Sequence, residues 1–413
     1  MEPRAQGVIA FVNATIVTGT GQAPFDGSVV IEADRIVDVI EGHRSVSATR
    51  TVDCAGRTLL PGLIDAHVHI AAIDADGREQ QRRYFSSEAA LRMGRNLTQL
   101  LDQGYTTARD AGGADAGFRR AVEQGVVAGP RLLVSGRPLS QTGGHGDARL
   151  PTEQGDVAAC GAQVGMVCHI VDGPDQVLRA AREELRRGAD QIKVMAGGGV
   201  MSPTDRLESV QFSLPELQAA VSAATAAGSY VLAHAYTPEA ITAAVTAGVR
   251  SIEHANLIDE ATAQLMAERG VFMVPTLVTY EQLYEHGQRH GLSRENLDKL
   301  AVVIDAGLTS LRIARDAGVK IASGSDLLGE MARHRGRELA IKAEVLGVMG
   351  AIEATTRTNA ELLGLADEIG TVEPGKQADL IVVAGDPLTD PSILGRPETT
   401  DVIVSAGRLY KIS

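Results

Sequence analysis

Apolar residues recur along this chain with two different periods, and the change between them divides it. Up to residue 58, short alternating runs (FVNATIVTG, GSVVIEADRIVDVIE, TVDCAGRTLL) are separated by turn residues. Period two with Gly, Asp and Pro between runs is the grammar of strands and hairpins. Residues 371–413 return to that grammar in TVEPGKQADLIVVAG and TDVIVSAGRLYKI. Neither stretch is long enough to bury a core alone. Together they predict one small β-sandwich domain built from both chain ends, residues 1–58 and 371–413.

Between them, over residues 59–370, strand-like runs alternate with amphipathic Ala/Glu/Arg-rich stretches such as DQVLRAAREELRRGA and SLPELQAAVSAATAAG. The runs are LPGLIDAHVH, YTTARDAG, RLLVSG, DQIKVMA, YVLAHA, RSIEHA, VFMVPTL and KIASGSD. Strands alternating with helices predict a parallel sheet, and eight such units predict its closure into a distorted (β/α)8 barrel. One connection, from Gly136 to about Gly188, is oversized, polar and Gly-rich. Long loops on the catalytic face of a barrel serve as lids or substrate walls.

Composition narrows the function. The chain has 413 residues and a net charge of −13 at pH 7. An acidic surface argues against nucleic-acid or anionic-membrane partners. Aromatics are 3% of residues and Trp is absent, so the core must be aliphatic. No run approaches the ~18 apolar residues of a membrane helix, and the N-terminus lacks a signal-like apolar region, so the expected location is cytoplasmic. The odd count of three Cys (Cys54, Cys160, Cys168) predicts reduced thiols rather than a disulfide scaffold.

The chemistry sits at the ends of the predicted barrel strands. His67 and His69, at i and i+2, face one way on a strand, and two imidazoles there suit zinc, manganese or cobalt. His234 and His254 end neighbouring strands twenty residues apart and make a second imidazole pair. Asp326 ends the last run, where a carboxylate can bind a metal and accept a proton, or can cap the helix that follows. Lys193 should point into the barrel by alternation. A buried ammonium near divalent cations is opposed by desolvation and by like charge. Its neutral amine could instead take up CO2 as a carbamate and bridge two metals about 3.5–4 Å apart. A lysine snorkelling to the barrel mouth is the competing reading, and the residue alone leaves the two even. Tyr236, two residues past His234, should overlook the pocket. His145 sits among three glycines in the long loop, a poor place for a core residue. Arg333, Arg335 and Arg337 are candidates for a substrate carboxylate, with a solvent-facing helix the expectation for most of them.

The set His67-x-His69, Lys193, His234, His254, Asp326, with PGLIDAHVH at the front and GTVEPGKQADLIVV at the back, resembles the metal-dependent amidohydrolase superfamily over essentially the whole chain. TGGHGD, QIKVMAGGGVMSPTD, HAYTPEAI, AGVRSIEHANLID and GSDLLGEM look similar to the branch of microbial Xaa-Pro dipeptidases, Xaa-Arg/Lys carboxypeptidases and ochratoxin-hydrolysing amidases. The resemblance implies two divalent metal ions, Zn2+ first and Mn2+ or Co2+ as alternatives. His67, His69 and Asp326 would hold the more buried ion and His234 and His254 the more exposed one. A CO2-derived carbamate on Lys193 would bridge them. It implies that His145 and Tyr236 polarise the scissile carbonyl or hold the substrate carboxylate, and that the chain forms a homo-oligomer. The expected reaction is cleavage of the amide bond of a dipeptide or N-acyl amino acid with a free carboxylate, by a metal-bridging hydroxide, with Asp326 taking the proton. The rivals are a xenobiotic amide or carbamate hydrolase with the same machinery and a non-catalytic scaffold. The complete ligand set speaks against the scaffold.

Overall fold

Both chain ends are woven into one eight-stranded sheet. Its strands are β1 (Val8–Ile16), β2 (Phe25–Glu32), β3 (Arg35–Glu41), β4 (Arg50–Asp53), β5 (Thr58–Pro61) and, from the far end of the chain, β15 (Leu380–Val383), β16 (Thr400–Ser405) and β17 (Arg408–Ile412). The computed structural model describes residues 7–42, 44–76, 80, 82–153, 165–202, 204–287 and 292–412. The order is β17-β16-β15-β5-β1-β2-β3, with β4 beside β1. The join between the two ends is the antiparallel pair β5–β15, where Leu380 faces Pro61 and Val383 faces Thr58. Phe11, Ile31, Leu59, Leu380 and Val404, one from each of five strands, share a single apolar cluster. This is the small β domain predicted from the period-two runs.

The remaining strands are parallel, and all but Arg131–Leu133 and His169–Ile170 are buried along their length, as strands covered on both faces must be. β6 (Leu63–Val68), β7 (Tyr105–Asp110) and β8 (Arg131–Leu133) form one sheet. β9 (Leu139–Ser140), β10 (His169–Ile170), β11 (Ile192–Met195), β12 (Val231–Ala235), β13 (Ser251–His254) and β14 (Phe272–Val274) form another, in the order β10-β9-β11-β12-β13-β14. The two meet in residues 131–140. There β8 pairs with β7, Leu139 of β9 pairs with Val194 of β11, and Gly136 between them has φ 66°. The third barrel strand is thus broken in two, which is the main distortion. The two-residue strands β9 and β10 in the long connection are too short to show a period in sequence.

The run KIASGSD does not form a full strand. It makes one parallel bridge, Ile321 to Met273. Ala322 N–H donates to Met273 O at 2.8 Å on one side, and Ala66 N–H donates to Ser323 O at 2.9 Å on the other. The segment therefore lies between β14 and β6, and the ring of strands passes through it. Beyond Ser323 the backbone passes close to β6, since a Cβ at Gly324 would stand 2.4 Å from the Cβ of His67, and Asp326 takes a left-handed φ of 53°. The architecture is a distorted (β/α)8 barrel with a small β domain. The helices Pro174–Arg186 and Leu214–Ala226 match the two amphipathic stretches named from the sequence. Among the described residues no helix is long and apolar enough to cross a membrane.

Candidate metal centre

All six predicted ligands converge at the C-terminal end of the barrel. His67 Nε2 and His69 Nε2 lie 3.5 and 3.2 Å from Asp326 Oδ1. These three side chains can offer atoms within 4.8 Å of one another, the reach of one metal ion. His254 packs against His67 with ring centroids 5.0 Å apart, and His234 against His254 at 4.6 Å. Register sets this up, because Met195 of β11 pairs with His234 and Ala235 of β12 with His254.

Each imidazole has one nitrogen tied outward. His67 Nδ1 meets Glu253 Oε2 at 2.7 Å, His69 Nδ1 meets Gly112 O at 2.8 Å, His234 Nε2 meets Gly198 O at 3.0 Å, and His254 Nδ1 meets Thr276 Oγ1 at 2.8 Å. Such outer bonds fix the tautomer and free the opposite nitrogen for a cation. Burial pushes His67, His234 and His254 well below the ordinary imidazole range, so they are neutral bases fit to ligate. Burial raises Asp326, but His67 and His69 outweigh it and hold the carboxyl below its usual value. The donor set of neutral imidazoles and an ionised carboxylate thus fits divalent metal ions.

The backbone is strained at the site. His254 and Asp326 have φ of 78° and 53°, a region that β-strand ends rarely visit without a functional reason. Asp326 does not cap the next helix. The 3-10 helix Gly329–His334 begins after Leu328, and no side chain caps it.

Lys193 is 1% exposed, and burial pushes its amine down to about 8. Among the described residues no carboxylate stands within ion-pair distance of it. It does not snorkel to the surface.

His145 stacks on His234, with rings 4.2 Å apart and 16° from parallel. Its backbone N–H donates to Gln211 Oε1 at 2.8 Å, while its buried Nδ1 has no hydrogen-bond partner. Burial lowers it to about 4, so it is a neutral imidazole. Tyr236 is buried, and its hydroxyl lies 2.9 Å from that of Tyr280. All eight residues line one cavity of about 150 Å³, whose other walls include Met166, Cys168, Met195, Met201 and Leu328.

The arginines divide. Arg335 is buried, and its Nε donates to Asp65 Oδ2 at 2.9 Å, away from the cavity. Arg337 is exposed and pairs with Glu281 at 3.0 Å. The exposed Arg333 lies 3.0 Å from its neighbour His334. None lines the cavity. Cys54 and Cys168 are free thiols, and Cys160 lies outside the described residues.

Sequence reasoning missed the supporting layer. Arg109 reaches Glu253 with Nη2 at 2.8 and 3.0 Å and Ala66 O with Nε at 2.6 Å. Asp65 accepts from His67 N and Ser325 N at 3.1 and 3.0 Å, locking together the segments that carry His67 and Asp326. Charged residues inside otherwise apolar runs, as in TTARDAG and RSIEHA, were the available signal.

The Amidohydrolase family profile matches residues 58–410. Ochratoxinase of Aspergillus niger is 31% identical over 415 residues, 96% of this chain and 85% of that protein. A crystal structure of a prolidase complexed with N-methylphosphonate-L-proline is 41% identical, covers 98% of this chain and 100% of that one, and superposes with a TM-score of 0.94. A Xaa-Pro dipeptidase with methionine in its active site is 31% identical, over 98% of this chain and 100% of that one, at a TM-score of 0.86. The chain belongs to the amidohydrolase family. It is a hydrolase acting on C–N bonds.

Proposed function

We propose that this amidohydrolase cleaves the amide bond of dipeptides or N-acyl amino acids that carry a free carboxylate, using two divalent ions. In this reading His67, His69 and Asp326 would hold one ion, His234 and His254 the other, and a carboxylated Lys193 would supply an anionic ligand to both. Zinc is the expected metal, with manganese and cobalt as alternatives. The observation that carries the reading is the convergence of four outward-anchored imidazoles, one carboxylate and one buried lysine that, among the described residues, has no carboxylate within ion-pair distance. The lysine amine adds to CO2, forming an N–C bond and releasing one proton to solvent. The product is an anion in place of a cation that would repel the metals.

Bound ions would supply Lewis acidity toward the scissile carbonyl and acidify a water molecule. The chain's own residues do the rest. Asp326, depressed by its two histidines and therefore ionised, accepts the proton of the attacking water and passes it to the departing amine. His145 and Tyr236 supply neutral donors from the cavity wall, to the carbonyl oxygen or to the substrate carboxylate. The names of the similar prolidase, dipeptidase and ochratoxinase support an amide joined to an amino acid.

A zinc-loaded enzyme assayed on dipeptides and N-acyl amino acids, varied at the C-terminal residue, should show turnover and about two metal equivalents per chain. Full activity with one equivalent would refute the bridging role of Lys193. A second reading, a hydrolase of bulky xenobiotic amides, draws on the apolar wall of Met166, Met195, Met201 and Leu328 and on the ochratoxinase match. It predicts faster turnover of large aromatic acyl amides than of dipeptides.

A further inference from the structure

A buried glutamine and a buried aspartate stand behind His145. His145 N–H donates to Gln211 Oε1 at 2.8 Å, and Gln211 Nε2 donates to Asp205 Oδ2 at 2.7 Å. The same oxygen accepts the N–H of Gly199 at 3.2 Å. Gly199 lies directly against the His145 ring, since a Cβ there would stand 2.0 Å from its Nδ1. One atom of Asp205 thus holds both the surface against which the ring rests and the glutamine that holds its backbone. We infer that Gln211 and Asp205 are positioning residues, which clamp the glycine-rich loop so that the His145 imidazole keeps its place in the cavity wall. The inference deepens the reading of His145 as a donor to the substrate and rests on it. Neither Gln211 nor Asp205 lines the cavity, so both act through His145.

The partners leave one arrangement of the glutamine amide. Asp205 Oδ2 already accepts from Gly199, so Gln211 turns its NH2 group toward that oxygen and its carbonyl toward the peptide N–H of His145. Turned over, the amide would set a carbonyl against a carboxylate and an N–H against an N–H, and both bonds would be lost. Gln211 and Asp205 are 1% and 5% exposed, and polar groups so buried are costly unless bonded. The approach of the loop needs glycine, because a Cβ at Gly144 would stand 2.7 Å from Gln211 Oε1.

The clamp is itself anchored to the barrel. Gln211 N–H donates to Ala196 O at 2.9 Å, one residue beyond β11, and Gly197 bridges Val210. A second tie between the two connections runs from Phe212 N–H to Gln141 Oε1 at 2.6 Å. The helix Arg294–Asp316 grips the clamp from behind. Its Lys299 Nζ donates to the backbone carbonyls of Ser202 and Asp205 and lies 3.9 Å from Asp205 Oδ1, and its Asn296 Nδ2 donates to Val200 O. The loop that carries His145 therefore takes its position from β11, the strand that carries Lys193. Among the described residues Nδ1 of the His145 ring has no hydrogen-bond partner, so the aim of the ring depends on its backbone and on the Gly199 surface.

The test uses the zinc-loaded protein, the near-isosteric Gln211→Met, and Asp205→Ala beside Asp205→Asn. Gln211→Met and Asp205→Ala should each lower kcat/KM for a free-acid dipeptide roughly tenfold, the effect of one oriented hydrogen bond, with zinc content unchanged. Asp205→Asn keeps an accepting oxygen for Gly199 and Gln211 and should restore most of the rate. Added to His145→Ala, neither Gln211→Met nor Asp205→Ala should cost anything more, because the clamp acts only through that residue. Nitrogen-labelled histidine NMR reads the clamp without substrate. The backbone N–H of His145, identified by its absence in His145→Ala, should exchange slowly in wild type and Asp205→Asn and quickly in Gln211→Met and Asp205→Ala. Should Gln211→Met fail to fold, the contrast between the two Asp205 variants carries the test. Additive losses, full activity of Gln211→Met, a loss explained by missing zinc, Asp205→Asn as impaired as Asp205→Ala, or a rapidly exchanging His145 N–H in wild type would each overturn the clamp. If His145→Ala keeps wild-type activity, the reading of His145 as a donor fails instead, and the amide exchange still decides whether Gln211 and Asp205 hold its loop.

Discussion

Glu253 Oε2 lies 2.7 Å from His67 Nδ1, and both side chains are closed to solvent at the centre of the barrel. The same carboxylate is held by Arg109, whose Nη2 is 2.8 Å from Oε1, and by the Ser251 hydroxyl at 2.6 Å. A buried carboxylate is tolerated here because it is paired and fully hydrogen-bonded. Arg109 also lowers the tendency of His67 to take a second proton. The cluster therefore keeps His67 as a neutral imidazole with its proton on Nδ1 and its lone pair on Nε2.

Removing that carboxylate should act on metal affinity and on stability together. Glu253→Ala leaves Arg109 as a buried cation without its partner, a change that costs about 3–5 kcal/mol. It also frees His67 to rotate, and loss of such an outer partner weakens metal binding by about 10–100-fold. Thermal unfolding and competition with a chelator measure the two effects. Glu253→Gln keeps an acceptor for His67 and should lose less zinc affinity than Glu253→Ala. Equal zinc affinity in wild type and both variants would show that Glu253 serves only to neutralise Arg109.

Lys193 yields a prediction with a definite pH sign. Only the neutral amine adds CO2, and burial brings that amine down to about 8. Below that value the ammonium dominates, and above it the amine does. Reconstitution of metal-free protein with zinc and bicarbonate should therefore speed up as pH rises toward about 8 and level off beyond it. Lys193→Ala should abolish most activity and bind less metal, and a short carboxylic acid should restore part of both. A pH-independent rate of reconstitution would count against the carbamate.

Asp326→Asn keeps the shape of the side chain and removes the base. Because the carboxyl is held below its usual value by His67 and His69, it is ionised at neutral pH in wild type. The variant should lose ~10²–10⁴ in kcat, the usual contribution of a positioned general base. Metal content must be measured alongside, since the same oxygen lies 3.2 Å from His69 Nε2. Normal kcat with metal bound would leave Asp326 a ligand only.

The residues that the sequence disclosed are those whose side chains are chemically unusual for their surroundings. Histidines, a lysine and an aspartate at the ends of apolar strand-like runs stand out because such runs have no structural use for them. Strand and helix positions were legible for the same reason, through their periods. What stayed hidden depends on contacts between distant segments. Glu253 and Arg109 are 144 residues apart and meet only once the barrel closes. Thr276 and Tyr280 follow an apolar run and look like ordinary loop and helix residues until His254 and Tyr236 are placed beside them. Arg335 was expected on a solvent face. It is buried because Asp65, 270 positions earlier, needs a cation. The eighth strand is reduced to a single bridge because its last residues pack against β6, with Gly324 against His67 and Asp326 beside His67 and His69, contacts that no local pattern records.

Gly199 provides the last prediction, and it isolates His145 from the metal ligands. A Cβ at Gly199 would stand 2.0 Å from His145 Nδ1 and 2.1 Å from Cε1, closer than any two such atoms can approach. Gly199 has no positive φ to make it strain on its own account, so Gly199→Ala acts through this contact. The imidazole must leave its stack on His234, and among the described residues no hydrogen bond to its Nδ1 opposes the move. His234 keeps its own bond to Gly198 O, so the proposed metal ligands stay in place. Zinc content should therefore remain at the wild-type level while kcat/KM falls by about ten- to a hundredfold, as expected for losing a donor to a charged or developing oxyanion. His145→Ala should show the same loss, and adding Gly199→Ala to it should cost nothing more. Wild-type kinetics in Gly199→Ala with His145 displaced in its crystal structure would remove His145 from the reaction and leave Tyr236 as the donor on the cavity wall.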